Sequence, residues 1–235
     1  MQVNVIASVQ EARSEELLGR TVIVIDVLRA TSTIVTALAQ GATAILPVET
    51  VQQAKLAQQP GDLLGGERYS KRIAGFDLGN SPLEYQDPAI EGRRIVLTTT
   101  NGTRAIQKSS RADFVLAGSL LNAEACARKA ADLNRNIAIV CSGTQDEFAL
   151  EDGLCAGLLV RELERIWGGG CESINDLGLA MHHAYLEAEP QLERVLLASA
   201  SGKKLTQLGL RADVRFCAQV NAYPLVPMLH GELMR

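Results

Sequence analysis

Three times along the chain a short β-branched run stops at polar residues, and a helical segment follows at once. The first is Thr21-Val-Ile-Val-Ile25, then Asp26-Val-Leu-Arg29-Ala-Thr-Ser-Thr33, then a helical stretch closed by Gly41. The second is Arg94-Ile-Val-Leu97, then Thr98-Thr-Thr-Asn-Gly-Thr-Arg104, then Ala105-Ile-Gln-Lys. The third is Ile137-Ala-Ile-Val140, then Cys141-Ser-Gly-Thr144, then a helix from about Leu150 to Trp167 ending in Gly168-Gly-Gly170. A strand covered on both faces reads as a continuous apolar run, and helical periods between such runs mark βαβ units. The chain therefore belongs to the α/β class, built around a largely parallel, buried sheet. Pro-, Gly- or Ser-rich linkers are missing, so residues 1–235 read as a single domain.

The first two units resemble each other. Arg29-Ala30 matches Arg104-Ala105, which places Asp26 opposite Asn101, and Gly41-Ala-Thr-Ala-Ile-Leu46 matches Arg111-Ala-Asp-Phe-Val-Leu116. An internal duplication accounts for both matches; so does chance. Each match precedes a helix start, with Thr50 and Gln53 spaced as a capping box and Asn122 as an N-cap. Between the units, Gly65 to Pro82 is Gly-rich and weakly periodic, and reads as an ordered functional loop anchored by Phe76, Leu78 and Pro82. Helices are expected over Ser173 to Glu187 and from Pro190 to about Ser199, with Pro190 suited to a first helical position. Asp213 to Val220 fits a helix or a strand.

Composition narrows the class. Against 27 Asp and Glu stand 23 Lys and Arg in 235 residues, without a basic run, which argues against nucleic acid as a partner. No stretch approaches the roughly 18 apolar residues of a membrane span, and Met1-Gln2-Val3-Asn4-Val5-Ile6 lacks the regions of a signal peptide, so a cytoplasmic protein is expected. Five cysteines without a Cys-x-x-Cys pair suggest neither a disulfide framework nor a zinc site. Cys155 and Arg161 have the spacing of cysteine-dependent phosphatases. The Ala-Gly-Leu-Leu-Val between them is the apolar face of a helix, so Cys155 reads as core.

Ligands of open α/β sheets bind beyond the carboxyl ends of the strands. That rule selects Asp26 and Arg29, Thr98 to Arg104, and Ser142, Gly143, Glu151 and Asp152. Helix N-terminal amides with arginines make an anion site, and carboxylates beside an anion call for a cation between them; Mg²⁺ on one or two carboxylates, its shell completed by water and phosphate, meets both demands. Blander roles compete: Asp26 as a cap, Glu151 and Asp152 as first-turn acids, the arginines as surface ion-pair partners, and His182-His183 as structural helix residues. No Gly-x4-Gly-Lys-Ser/Thr loop, Gly-x-Gly-x-x-Gly turn, Asp-x-Asp pair or Gly-x-Ser-x-Gly elbow follows a strand. The residues alone thus lead to an α/β protein with a metal-assisted anion site.

At these residues the chain resembles the 2-phosphosulfolactate phosphatase (ComB-like) family. The resemblance rests on Val-Ile-Asp-Val-Leu-Arg-Ala-Thr-Ser-Thr (24–33), Gly-Glu-Arg (66–68), Gly-Phe-Asp-Leu-Gly-Asn-Ser-Pro (75–82) and Thr-Thr-Thr-Asn-Gly-Thr-Arg-Ala (98–105). Cys-Ser-Gly (141–143), Glu-Asp-Gly-Leu-Cys-Ala-Gly (151–157) and Asp-Val-Arg-Phe-Cys-Ala-Gln-Val (213–220) extend it. It implies a three-layer α/β/α fold with a mixed sheet. The activity it implies is magnesium-dependent hydrolysis of 2-phospho-3-sulfolactate to sulfolactate and phosphate, a step of coenzyme M biosynthesis. On that reading Asp26, Arg29 and Arg104 are catalytic. Arg68, Asn80, Ser81, Thr100, Asn101, Gly102, Thr103, Ser142 and Gly143 bind a small phosphorylated, sulfonated acid. Mg²⁺ is held by Asp26 with Glu67 or Asp152, and Asp77, Asp146 and Glu151 are further metal candidates. Asp26 as a phosphate-accepting nucleophile stays open at this stage, as do another phospho-acid substrate, a non-catalytic binder, and a homo-oligomeric state.

Overall fold

The computed structural model describes residues 1–168 and 173–235. Gly169, Gly170 and Cys171 lie outside the described residues. The strands are β1 (Gln2–Ile6), β2 (Thr21–Ile25), β3 (Ala44–Val48), β4 (Leu63–Arg68), β5 (Lys71–Arg72), β6 (Arg94–Thr98), β7 (Phe114–Gly118), β8 (Ile137–Cys141), β9 (Ser173–Ile174), β10 (Leu229–His230) and β11 (Leu233–Met234). The helices are α1 (Ala30–Ala39), α2 (Val51–Ala57), α3 (Gly102–Ser109), α4 (Ala123–Asp132), α5 (Leu150–Trp167), α6 (Asp176–Ala188), α7 (Leu192–Ala198), α8 (Ala200–Gln207) and α9 (Arg211–Cys217).

Two sheets form where the sequence suggests one. The first, in the order β7-β2-β8-β1-β9, is parallel throughout; the second, β10-β11-β3-β6-β4-β5, is parallel at β3-β6-β4 and antiparallel at both edges. Alternation along each strand assigns its faces. Val22 and Val24 of β2 meet Ile45 of β3 and Ile95 and Leu97 of β6 in one core, which also takes Ile34 and Ala37 of α1 and Ala105 and Ile106 of α3. Ile23 and Ile25 turn the other way, onto Ala127 of α4 and Leu158 and Leu159 of α5. The parallel sheet is thus the middle layer of an α/β/α sandwich, and the mixed sheet covers the inner helices from outside. On the outer face of that second sheet Leu46 and Val96 pack with Ala54 of α2.

The two similar units trade sheets. β2 lies in the parallel sheet and its unit ends in β3 of the mixed sheet, whereas β6 starts in the mixed sheet and its unit ends in β7 beside β2. The result is a reciprocal arrangement in which the turns after β2 and β6 face each other. Nothing in a run of Val and Ile says which sheet it joins, so this exchange is invisible in the sequence.

Local readings fare unevenly. The capping box of Thr50 and Gln53 forms at α2. Asn122 precedes α4 but does not cap it; its Oδ1 accepts from the Ser119 N–H at 2.9 Å and its Nδ2 donates to the Ala117 carbonyl at 3.1 Å. The stretch read as a loop from Gly65 opens instead as β4. Its glycines hide the strand signal, yet a Cβ at Gly66 would lie 2.1 Å from the Thr98 carbonyl oxygen and one at Gly65 the same 2.1 Å from the Tyr85 hydroxyl. Ser173–Ile174 is a strand preceding α6, and the ambiguous segment is helical as α9. Cys155 is fully buried in α5 among Leu154, Ala156 and Leu158. No helix among the described residues is long and apolar enough to cross a membrane.

The pairing of α5 with α6 depends on one missing side chain. A Cβ at Gly157 would stand 2.0 Å from the Met181 carbonyl oxygen, a backbone atom that cannot move alone. Gly157→Ala gains about 1 kcal/mol of helix propensity but loses more to overpacking, about 1–3 kcal/mol. The variant is expected to melt below the wild type, and a thermal unfolding curve that moves upward would contradict this packing.

Candidate active site

Strands from both sheets end at one cleft. The carboxyl ends of β2 and β8 come from the parallel sheet and those of β4 and β6 from the mixed sheet; the residues around the cleft include Asp26, Glu67, Thr100, Asn101 and Gly143. Asp26 follows β2 directly. Its Oδ1 accepts from the Ala30 N–H at 3.1 Å, the first amide of α1, and its own N–H donates to Thr31 Oγ1 at 2.9 Å. Its Oδ2 accepts no hydrogen bond from the described residues and lies 2.6 Å from where a Cβ on Gly102 would be, so only glycine allows α3 to start this close. Burial, with help from the nearby charges of Glu67 and Glu151, pushes the Asp26 carboxyl up to about 7; the Ala30 amide and Arg29 pull the other way.

The neighbouring acids brace the loops. Glu67 Oε1 accepts from the Thr100 N–H and hydroxyl at 2.9 and 2.8 Å, and its Oε2 accepts from the Ser70 N–H at 2.6 Å. Asp152 accepts from the Val27 N–H at 2.8 Å and from the Gly143 N–H at 3.0 Å, tying the turn after β2 to the turn after β8. Burial raises its carboxyl well above the usual range, and Asp26 and Glu151 push in the same direction. Arg29 is buried against Asp213 of α9 at 2.6 Å, and the other oxygen of Asp213 accepts from Ser81 Oγ at 2.8 Å. Asn101 Nδ2 donates to the Gly143 carbonyl at 2.8 Å. Asn80 is 5% exposed, and its Oδ1 has no hydrogen-bond partner among the described residues.

Two tight turns form part of the rim. Tyr69 and Ser70, between the paired residues Arg68 and Lys71, have φ of 56° and 66°; Gln145 and Asp146, between Thr144 and Glu147, have φ of 54° and 64°. Left-handed pairs of this kind favour Asn-Gly, and side-chained residues there cost of order 1 kcal/mol or more each. Strain gathered beside a cleft is a common property of functional sites.

A family model described as 2-phosphosulpholactate phosphatase matches residues 6–232. A protein of Symbiobacterium thermophilum named probable 2-phosphosulfolactate phosphatase is 44% identical over 220 residues, 92% of this chain and 93% of the relative. One of the same name from Thermotoga maritima is 44% identical over 213 residues, 89% of each chain. A third, from Clostridium acetobutylicum, is 35% identical over 242 residues, covering both chains fully. The chain belongs to the 2-phosphosulpholactate phosphatase family. It is thereby a member of a family of phosphoric monoester hydrolases.

Of the residues that the family motifs single out, Asp26, Arg29, Glu67, Asn80, Thr100, Asn101 and Gly143 line the cleft together. Others stand behind it. Gly102 packs on Asp26, Ser81 holds Asp213, Thr103 Oγ1 accepts from the Thr99 N–H at 3.1 Å, and the Ser142 N–H donates to the Ile25 carbonyl at 2.7 Å. Arg68 and Arg104 do not reach the cleft. The Arg68 guanidinium donates to the Glu67 and Glu49 carbonyls at 2.7 and 2.8 Å and to Thr98 Oγ1 at 2.9 Å, fastening the edge of the mixed sheet. Arg104 pairs with Asp146 at 2.8 Å, with 37% of its side chain exposed. Asp77 accepts from the Leu64 N–H at 2.8 Å, which is a strand brace. Tyr69, Ser70, Thr144, Gln145, Ser201 and Lys204 also line the cleft without having been singled out in the sequence. Asp213 lies in a family motif, but its neighbours in sequence assign it no role. An arginine and an acid 184 positions apart carry no local pattern that announces a pair.

The donor set suits magnesium. Among the described residues no three His, Cys, Asp or Glu side chains form a metal cage. Magnesium seldom uses one; it takes one or two carboxylates and keeps water and substrate oxygens for the rest. Asp26 with its unbonded Oδ2 meets that need; Glu67 accepts three hydrogen bonds on its two oxygens but lines the same cleft, whereas Asp152 accepts two and stands behind the lining. Asp26 also has a signature in stability. The unfolded chain ionises it near 3.8 and the folded chain near 7, so unfolding releases a proton in between, and the fold loses stability as pH rises through that interval. Asparagine can still accept the Ala30 N–H through Oδ1. Without added metal, Asp26→Asn is expected to melt above the wild type at pH 8, with the gap closing toward pH 4. A gap that does not change with pH would contradict the raised carboxyl.

Proposed function

We propose that the chain is a magnesium-dependent phosphomonoester hydrolase that converts 2-phospho-3-sulfolactate and water to 3-sulfolactate and phosphate. The observation that carries this reading is a cleft in which carboxylates, a buried arginine and helix starts converge, in a chain whose relatives are named for that reaction. A bare anion binder gains nothing from keeping Asp26 and Glu67 beside its ligand, since like charges repel.

Asp26 and Glu67 would hold the magnesium ion, which when bound draws negative charge from the phosphate oxygens. Arg29, kept in place by Asp213, offers its charge to the non-bridging oxygens. Asn80, Thr100 and Asn101 line the same wall, and Asn80 Oδ1, unpaired among the described residues, can accept from a bound water. Water supplies the new phosphorus–oxygen bond as the bond to the ester oxygen breaks, and a water-derived proton ends on the leaving alkoxide. We place the reaction in coenzyme M biosynthesis, following its substrate. We place it also in the cytoplasm, in keeping with the buried, unpaired thiols of Cys126, Cys141, Cys155 and Cys217.

Phosphate release from a panel of small phospho-acids, with magnesium and with EDTA, tests this. The highest kcat/KM is expected on phosphosulfolactate, with loss in EDTA. Asp26→Asn should lower turnover by roughly 10²-fold or more, the scale of removing one electrostatic stabiliser of the transition state. Release undiminished by EDTA would overturn the metal, a better substrate elsewhere in the panel would overturn the specificity, and no release from any would overturn the hydrolase.

A further inference from the structure

The cleft holds more positive charge than the phosphate chemistry uses. Only Arg29 and Lys204 are cationic among the described residues that line it. Arg29 is balanced by Asp213 at 2.6 Å. The side-chain ammonium of Lys204, on α8, has no ion-pair or hydrogen-bond partner among the described residues. One turn before it on the same helix face stands Ser201, buried at 8% exposure, whose Oγ lies 3.1 Å from Thr144 Oγ1 in the turn after β8. A half-buried lysine that lines the same cleft as two linked hydroxyls, without a carboxylate partner among the described residues, offers a further anion site.

The chemistry of the lysine narrows the anion. An ammonium is a compact point charge with three rotatable donors, so it can meet a tetrahedral oxyanion without the fixed bidentate geometry that the fork of arginine requires. We infer that Lys204, with the Ser201 and Thr144 hydroxyls, reads the non-transferred sulfonate of the substrate and so sets specificity, while Asp26, Glu67 and Arg29 attend to the phosphate. This rests on the hydrolase reading above and adds the residue that distinguishes a sulfonated from an unsulfonated phospho-acid. With Arg29 and the proposed magnesium ion engaged by the phosphate, Lys204 is the remaining cation among the described residues that line the cleft, and it stands on the α8 side.

The test compares phosphosulfolactate with 2-phospholactate, which lacks the sulfonate, in wild type, Lys204→Met and Lys204→Arg. One charged hydrogen bond corresponds to roughly 10–100-fold. Lys204→Met should lose that factor in kcat/KM on phosphosulfolactate, mainly through KM, and about threefold or less on phospholactate, with Lys204→Arg recovering part of the loss. Equal losses on both substrates would assign Lys204 to the phosphate and overturn the inference, as would no loss on either. Should wild type hydrolyse neither, the hydrolase reading falls by itself. Calorimetry with 3-sulfolactate and lactate then decides the inference: a preference for sulfolactate that disappears in Lys204→Met supports it, and equal binding by the two proteins overturns it. Matching melting temperatures exclude a folding defect.

Discussion

The structure depends on a pair of crossovers that exchange sheets. Because β2 feeds α1 and then β3, while β6 feeds α3 and then β7, two parallel pairings are made at once and the two inner helices are shut between the sheets. The same exchange turns the ends of β2 and β6 toward each other, so that the start of α3 rests on the side chain of Asp26. A single open sheet has one row of carboxyl ends for a ligand to use. Here two rows meet, and loops from both enclose the cleft.

That meeting has an electrostatic cost. Asp26, Glu67, Glu151 and Asp152 crowd one region, and burial and mutual repulsion keep Asp26 and Asp152 protonated to higher pH than free carboxyls. Amides answer part of this: Asp152 takes two, and Glu67 takes two amides and a hydroxyl. Asp26 is left with one amide and a free oxygen. A site that fully satisfied its acids would be more stable and would have nothing left with which to hold a cation or a phosphate. The strained turns at Tyr69-Ser70 and Gln145-Asp146 follow the same pattern, since stability is given up at the rim of the cleft and recovered in the cores.

Much of the framework was legible because burial on both faces writes itself as an unbroken apolar run, as at Thr21–Ile25 and Ile137–Cys141, and because α5 keeps its period from Leu150 to Trp167. β4 escaped because close contact with Thr98 demanded glycine where a strand would ordinarily show a side chain. Around the cleft, strand ends were readable as places but not as directions. Arg68 and Arg104 stand in family motifs as Asp26 does, yet their guanidiniums turn to backbone carbonyls and to a surface acid. Lys204 sits on a helix whose local pattern is that of a surface, and only the packing of α8 against the turn at Thr144 brings it to the site. Long-range partners such as Arg29 and Asp213 leave no trace in spacing.

Burial holds the Asp26 carboxyl protonated to about 7, and in the proposed hydrolase a bound magnesium ion would release it. The most direct measurement is a titration of its side-chain carboxyl by ¹³C NMR, identified by the loss of its signal in Asp26→Asn, without metal and with saturating magnesium. The midpoint is expected near 7 without metal, with a clear fall when magnesium is added. A midpoint in the ordinary carboxylate range without metal, or one that magnesium leaves unmoved, would contradict it.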